Sequence, residues 1–471
     1  MRGTNFLPLS IGAASAISIV DFESCSLPYI IPLSLQNSCD RSDEWIAASR
    51  ALNSSTYEEG RTWGLEPPSN ITAASISTKP NIWTHEPFCM ESEEARAGFC
   101  VYTSSRFGNG RGISIIATAH EISALVDGVA TFKLPNTAES FRPLEGANLD
   151  KQYQQQVPGK GVGVFTNATL NRGDYLAGYL PVMMLQDDFM QFAKVADQDL
   201  MVKIAIERLP KKTQKLFNDL HGQFPGDPYI SKIQTNAFQA FAGHAKDHFW
   251  AVLPESSRYN HDCRPNTAYY FDKESMSHRI FATSKMNPGE EITLTYSNPF
   301  LKHKERKEFI KKGWDFECTC SKCMSTKSLR AISDHRLTLI NELTQQLEDL
   351  SPDRVATPST ALALVNLFEQ EHLHGPIGDA YMYVALEYSY IGDRNRALVW
   401  AAKALEGLAL WRGETHMNYR AMWALSVDHT THRSWKYVTN GYRTQDGALK
   451  QPGKPSRTVR MHGGEFISDV S

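Results

Sequence analysis

Three thiols fall within six residues at Cys318-x-Cys320-x-x-Cys323, and the only other cysteine beyond residue 100 is Cys263. That spacing suits three corners of a tetrahedral zinc site, which takes four thiolates or imidazoles. Cys263 is the natural fourth ligand, and free buried cysteines are the plain alternative. A metal held this way would be structural and closed, and it would tie the 318–323 segment to the chain around Cys263. If Cys263 is that ligand, the fold must bring those two segments together.

Cys263 sits in Arg258-Tyr259-Asn260-His261-Asp262-Cys263-Arg264-Pro265-Asn266. Asn-His and Pro-Asn interrupt helices and strands. The stretch therefore reads either as a surface turn or as a loop presenting Asn, His and Cys to a polar ligand or metal. Upstream, Pro158-Gly159-Lys160-Gly161-Val162-Gly163-Val164-Phe165 is a glycine turn opening into a β-prone run. Dinucleotide and P-loop motifs need such glycines to lead into a helix, so the context argues against those readings. A hairpin turn, or a backbone that approaches a ligand closely, remains.

The rest of the chain supplies context. At 471 residues, 41% hydrophobic and 21% charged, it has material for roughly two or three domains. A net charge of -3 gives no global signature of nucleic-acid binding. No apolar run reaches membrane-spanning length. Residues 1–20 carry a leader-like run with Ala14-Ser15-Ala16, which leaves a secretory leader and an irregular N-terminus both open. Asn53, Asn70 and Asn167 open glycosylation triplets that would matter only on secretion. In that case Cys25, Cys39, Cys89 and Cys100 could pair as disulfides. A thiolate metal site favours an intracellular setting, nucleus or cytoplasm.

Residues 21–150 match no assignable module, and a hairpin is expected near 98–118. Residues 186–222 read as helical, with Leu200, Ile204, Leu209, Leu216, Phe217 and Leu220 on an apolar face and Pro210 starting a new helix. The lysine-rich run at 301–312 reads as a solvated helix face. Residues 328–427 read as helices, with small residues flanking Gly392-Asp393 in the manner of a tetratricopeptide (TPR-like) unit. One such unit cannot bury its own face, so it must pack on neighbours or recruit a protein partner. The polar tail at 436–471 is expected to lack regular structure.

Four motifs in order resemble SET-domain protein lysine methyltransferases. They are Lys160-Gly161-Val162-Gly163, Asn260-His261-Asp262-Cys263-Arg264-Pro265-Asn266, Gly289-Glu290-Glu291-Ile292-Thr293-Leu294-Thr295-Tyr296 and the post-SET segment from Trp314 to Cys323. The C-terminal helices are similar to those of the SET–MYND class. The MYND zinc module is missing, since no cysteine lies between 100 and 263, and the 186–222 helices would take its place. The resemblance implies a mixed α+β chain, with a knot-like β-rich SET domain over 151–300, a helical insert, a post-SET zinc segment over 313–324 and a C-terminal helical domain. It implies S-adenosylmethionine, with Lys160, Gly161, Val162, Gly163, Asn236, Asn260, His261 and Phe316 along the cofactor and Tyr296 as the catalytic tyrosine. Trp314 stands where the class usually lines its lysine channel with tyrosine, which leaves the degree of methylation open. The implied substrate is a lysine-bearing protein, histone or non-histone. A catalytically weak scaffold that binds partners through its C-terminal helices is the other reading.

Overall fold

A computed structural model of the protein describes residues 82–90, 98–128, 147–241, 248–351 and 354–437, with the backbones of four short strands beyond them. The leader-like run, Cys25, Cys39, Asn53 and Asn70 lie outside the described residues.

The mixed α+β class is the one observed. Strands β1 (Phe88–Met90), β2 (Phe99–Ser104), β3 (Ile113–Thr118), β7 (Met183–Gln186), β8 (Ala237–Phe241) and β9 (His248–Val252) form one sheet in the order β1-β2-β3-β7-β9-β8. Alternate residues of a strand face opposite sides. Cys100 and Tyr102 therefore join a core with Ile115, Ala117 and Leu125, while Phe99 and Val101 join another with Ile116, Leu185 and Val252. Leu125 comes from α1 (Ala119–Gly128). β3 runs parallel to β7, with Ser114 opposite Met183, so the boundary expected at residue 150 does not divide the structure. Cys89 lies opposite Cys100 on β1 and β2 and is disulfide-bonded to it.

The helical insert between β7 and β8 comprises α2 (Asp187–Phe192), α3 (Val195–Glu207), α4 (Lys211–Asn218) and α5 (Pro228–Asn236). Met201, Val202, Ala205, Ile206 and Phe217 pack onto the sheet. Leu200, expected on the apolar face, is 43% exposed, because the buried stripe of α3 runs one residue round the helix through 201, 202, 205 and 206.

Two smaller sheets carry the motifs. β4 (Gln152–Val157), β5 (Gly161–Thr166), β10 (Asn260–His261) and β13 (Glu291–Leu294) pair in the order β10-β13-β5-β4. β6 (Tyr175–Tyr179), β11 (Thr267–Asp272) and β12 (Ser277–Ala282) form the other. β10 and β13 run parallel, with His261 opposite Leu294, although only the β11–β12 hairpin separates them. A parallel pair demands a crossover, and here the crossover is a hairpin that belongs to another sheet.

Beyond it lie α6 (His303–Trp314), the single turn α7 (Ser321–Met324), then α8 (Lys327–Glu348), α9 (Pro358–Gln370), α10 (Ile377–Tyr390), α11 (Arg394–Trp411) and α12 (Met417–Val427). α10 and α11 meet backbone to backbone. A Cβ on Gly378 would lie 2.5 Å from the Gly407 carbonyl carbon, so both positions exclude side chains. Asp393 caps α11 by accepting from the Arg396 N–H at 3.0 Å. The tail, expected to be irregular, contains two short hairpins, Tyr442–Arg443 with Leu449–Lys450 and Val459–His462 with Glu465–Ser468. No described helix is long and apolar enough to cross a membrane.

Candidate active site and cysteine cluster

Asn260 and His261 enter the site as the two residues of β10, and both are buried. A buried amide or imidazole must find partners. The Asn260 amide donates to Glu291 Oε1 at 2.8 Å, and Lys160 lies 3.3 Å from Glu291 Oε2. Glu291 thus joins the glycine segment to the Asn-His motif, a role that its place in the Gly-Glu-Glu run did not reveal. Asn266 locks the same sheet. Its amide donates to the Glu291 carbonyl, and its oxygen accepts from the Thr293 N–H, each at 2.9 Å.

Gly163 is where β5 comes closest. A Cβ there would lie 2.7 Å from Glu291 Oε1, 2.8 Å from Val157 Cγ2 and 3.0 Å from Asn260 Nδ2. Gly161 has φ +73 and open space, so it answers to the turn and not to contact. Gly163→Ala is expected to push β5 off Asn260 and Glu291 and to destabilise the fold by about 1–3 kcal/mol. Urea unfolding measures this, and an unchanged midpoint would mean that the approach is not tight.

His261 links two neighbourhoods. Its Nδ1 accepts from the Tyr296 backbone N–H at 3.0 Å, so Nε2 carries the proton and faces Cys263 Sγ at 3.4 Å. Burial pulls the imidazole down to about 4, which keeps it neutral. The Tyr296 ring packs 5.3 Å from His261 and 5.1 Å from Trp314, and its hydroxyl donates to the Tyr259 carbonyl at 2.8 Å. Burial, then the neighbouring Tyr269 and Glu291, raise its phenol well above the ordinary value. Phe316 lies 6.3 Å from His261.

The insert holds the far side. The Trp314 indole donates to the Thr235 carbonyl at 3.0 Å, and Gln223 donates to the Gly313 carbonyl at 2.7 Å. Asn236 sits beside Thr235, and its amide donates to the carbonyls of His221 and Lys232. Its side chain is tied to the insert itself and makes no hydrogen bond with the Asn-His motif. Lys160 and Gly161 are exposed, whereas Gly163 is buried.

Cys263, Cys318, Cys320 and Cys323 place their sulfurs within 4.8 Å of one another. Cys263 Sγ is 3.8 Å from Cys318 Sγ and 3.5 Å from Cys323 Sγ. Tetrahedral zinc with bonds of about 2.3 Å spaces its sulfurs about 3.8 Å apart, so the donor set fits that ion. Mutual hydrogen bonds push the Cys263 thiol far up, pull Cys320 far down and bring Cys323 to about 7. Four such thiols ionise together only around a cation.

One residue departs from expectation. Arg306, in the run read as a solvated face, is 1% exposed. It lies one turn before buried Ile310 on α6; its Nη1 donates to the Leu301 carbonyl at 2.5 Å, and its charge faces the Cys263 and Cys323 thiols. A cation beside clustered thiols is favourable, which is why it leaves water while the lysines around it do not.

The parallel β10–β13 pair carrying Asn-His, a tyrosine whose backbone N–H bonds that histidine and a four-cysteine cluster thus lie side by side. Residues 161–297 match the family model described as the SET domain. The chain is 24% identical over 322 residues to the histone-lysine N-methyltransferase set5 of Schizosaccharomyces pombe, covering 67% of this chain and 90% of that one. It is 33% identical over 100 residues to a SET and MYND domain-containing protein of Dictyostelium discoideum, covering 21% and 24% of the two chains. It is 34% identical over 83 residues to human histone-lysine N-methyltransferase SMYD1, covering 15% and 17%. The chain thus spans most of the fission-yeast relative and about a quarter or less of the other two.

Proposed function

We propose that the chain transfers the methyl group of S-adenosylmethionine to the side-chain amine of a lysine in a protein substrate, and that the four cysteines hold a structural zinc. The observation that carries this reading is His261, which bonds the Tyr296 backbone on one side and faces Cys263 on the other. When bound, S-adenosylmethionine supplies an activated sulfonium methyl. The chain's own residues then have positioning work to do.

Asn260, His261 and the Gly161–Gly163 backbone are the residues that would hold the cofactor, with Phe316 against its adenine. The Tyr296 hydroxyl commits its proton to the Tyr259 carbonyl, so its lone pairs are left to accept from a lysine amine. With its phenol raised, Tyr296 stays neutral and orients the amine without taking its proton. Trp314, beside Tyr296, offers a π face that favours the cationic side chain on entry. Closure against water disfavours the charged amine and helps it to reach the neutral form.

Relatives named histone-lysine methyltransferases make histones the first substrates to try, with non-histone lysine proteins alongside. The test incubates the purified chain with labelled S-adenosylmethionine and both groups, and measures cofactor binding by calorimetry. Transfer to lysine is expected. No transfer together with no cofactor binding would refute the reading.

A further inference from the structure

Both halves of the cysteine cluster are anchored on one carboxylate from the C-terminal helices. Glu371 follows α9 and is 0% exposed. Its Oε2 accepts from Arg264 Nη2 at 3.1 Å, Lys322 Nζ at 2.7 Å and Ser333 Oγ at 2.7 Å. Its Oε1 accepts from Arg336 Nη1 at 3.2 Å, and its backbone carbonyl accepts from Arg264 Nε at 2.6 Å. Arg264 follows Cys263, whose carbonyl also accepts from it at 2.7 Å. Lys322 lies in the turn between Cys320 and Cys323. Ser333 and Arg336 belong to α8.

The charges explain why a carboxylate is needed. Arg306, Arg264 and Lys322 crowd the cluster, and a dication bound by four thiolates carries net negative charge that they offset. Arg264 and Lys322 are themselves largely withdrawn from water, so they need an anion to fix where they point. Glu371 supplies it, and α8 fixes Glu371 in turn through Ser333 and Arg336. We propose that Glu371 is a positioning residue through which α8 and α9 set the geometry of the cysteine cluster. The helical unit is then part of the metal site's support and not a separate appendage. The inference rests on the zinc reading of the cluster.

The test uses the full zinc-loaded chain challenged with the chromogenic chelator 4-(2-pyridylazo)resorcinol, with folding followed by circular dichroism. Glu371→Gln keeps the volume and removes the charge, and it is expected to release zinc ~10-fold faster, the scale for loss of a group that supports metal ligands. Lys322→Met is expected to do the same, and the double variant to release no faster than E371Q, because both act through one contact. Glu371→Asp should recover part of the wild-type rate. A folded E371Q that releases zinc at the wild-type rate, or single effects that multiply in the double variant, would overturn the proposal. If E371Q does not fold, K322M decides, and a wild-type rate there overturns it equally. A wild-type chain that binds no zinc would overturn the metal reading itself, a result separable from zinc held equally by wild type and variant.

Discussion

Tyr296→Phe is expected to lower kcat by ~10²–10³-fold, the loss typical of removing one well-placed polar group from a transition state, while cofactor affinity is unchanged. The ring keeps its packing against His261 and Trp314 in the variant, and the backbone N–H that holds His261 is untouched. What disappears is the hydroxyl that ties the site to the Tyr259 carbonyl. Tyr259 is 1% exposed, so stability should also fall, by about 1–3 kcal/mol for a buried acceptor left without its partner. The two readouts separate the roles. A stability loss with full activity would make Tyr296 structural only. The pH profile separates orientation from base catalysis. Burial raises the phenol, so the neutral hydroxyl is present throughout the physiological range and is lost only above the raised value. Orientation by that hydroxyl gives wild type and Y296F profiles of the same shape. A rising alkaline limb in wild type that is absent from Y296F would mean that the phenolate acts as the base.

The site was legible where residue types were scarce. Cysteines are few enough that Cys263 could be matched to Cys318, Cys320 and Cys323 across 55 residues of chain, and the sulfurs do converge. The Asn-His motif was legible because Asn, His and Cys crowd into a few positions, although Asn260 and His261 form strand β10 and not the turn that Asn-His suggests. Common residues in regular elements hid the rest. Arg306 is one cation in a cationic run, and only Ile310 four residues on hinted that this face of α6 turns inward. Glu371 follows Glu369 at the end of a helix and reads there as one more polar terminal residue. Its partners come from the Asn-His motif, the cysteine turn and α8, a convergence that no sequence period encodes. Leu200 shows the limit of periodicity itself, since one residue of phase error exposes a side chain assigned to the core. The three strands before residue 120 join the same sheet as β7–β9, because a parallel partner need not be near in sequence.

Cys263→Ser is expected to weaken zinc and cofactor binding together. Losing a ligand outright should cost more metal affinity than the ~10–100-fold typical of losing a supporting group. The cofactor effect passes through His261. Its Nε2–H faces the Cys263 sulfur at 3.4 Å, and its Nδ1 accepts from the Tyr296 N–H, so the ring's orientation depends on both ends. Without the metal, the 318–323 segment loses its attachment to Cys263, and Phe316 and Trp314 lose the support that brings them beside His261 and Tyr296. The measurements are zinc content by atomic emission and cofactor affinity by calorimetry, on the variant and on wild-type chain treated with chelator. Both treatments should lower cofactor affinity, because both release the same segment, and the substitution should lower it at least as much, because it also removes the sulfur that faces His261. If zinc leaves and cofactor affinity holds, the cluster stabilises the fold but does not shape the site. If the variant loses cofactor affinity and chelation does not, the His261–Cys263 contact matters by itself and the metal is incidental to it.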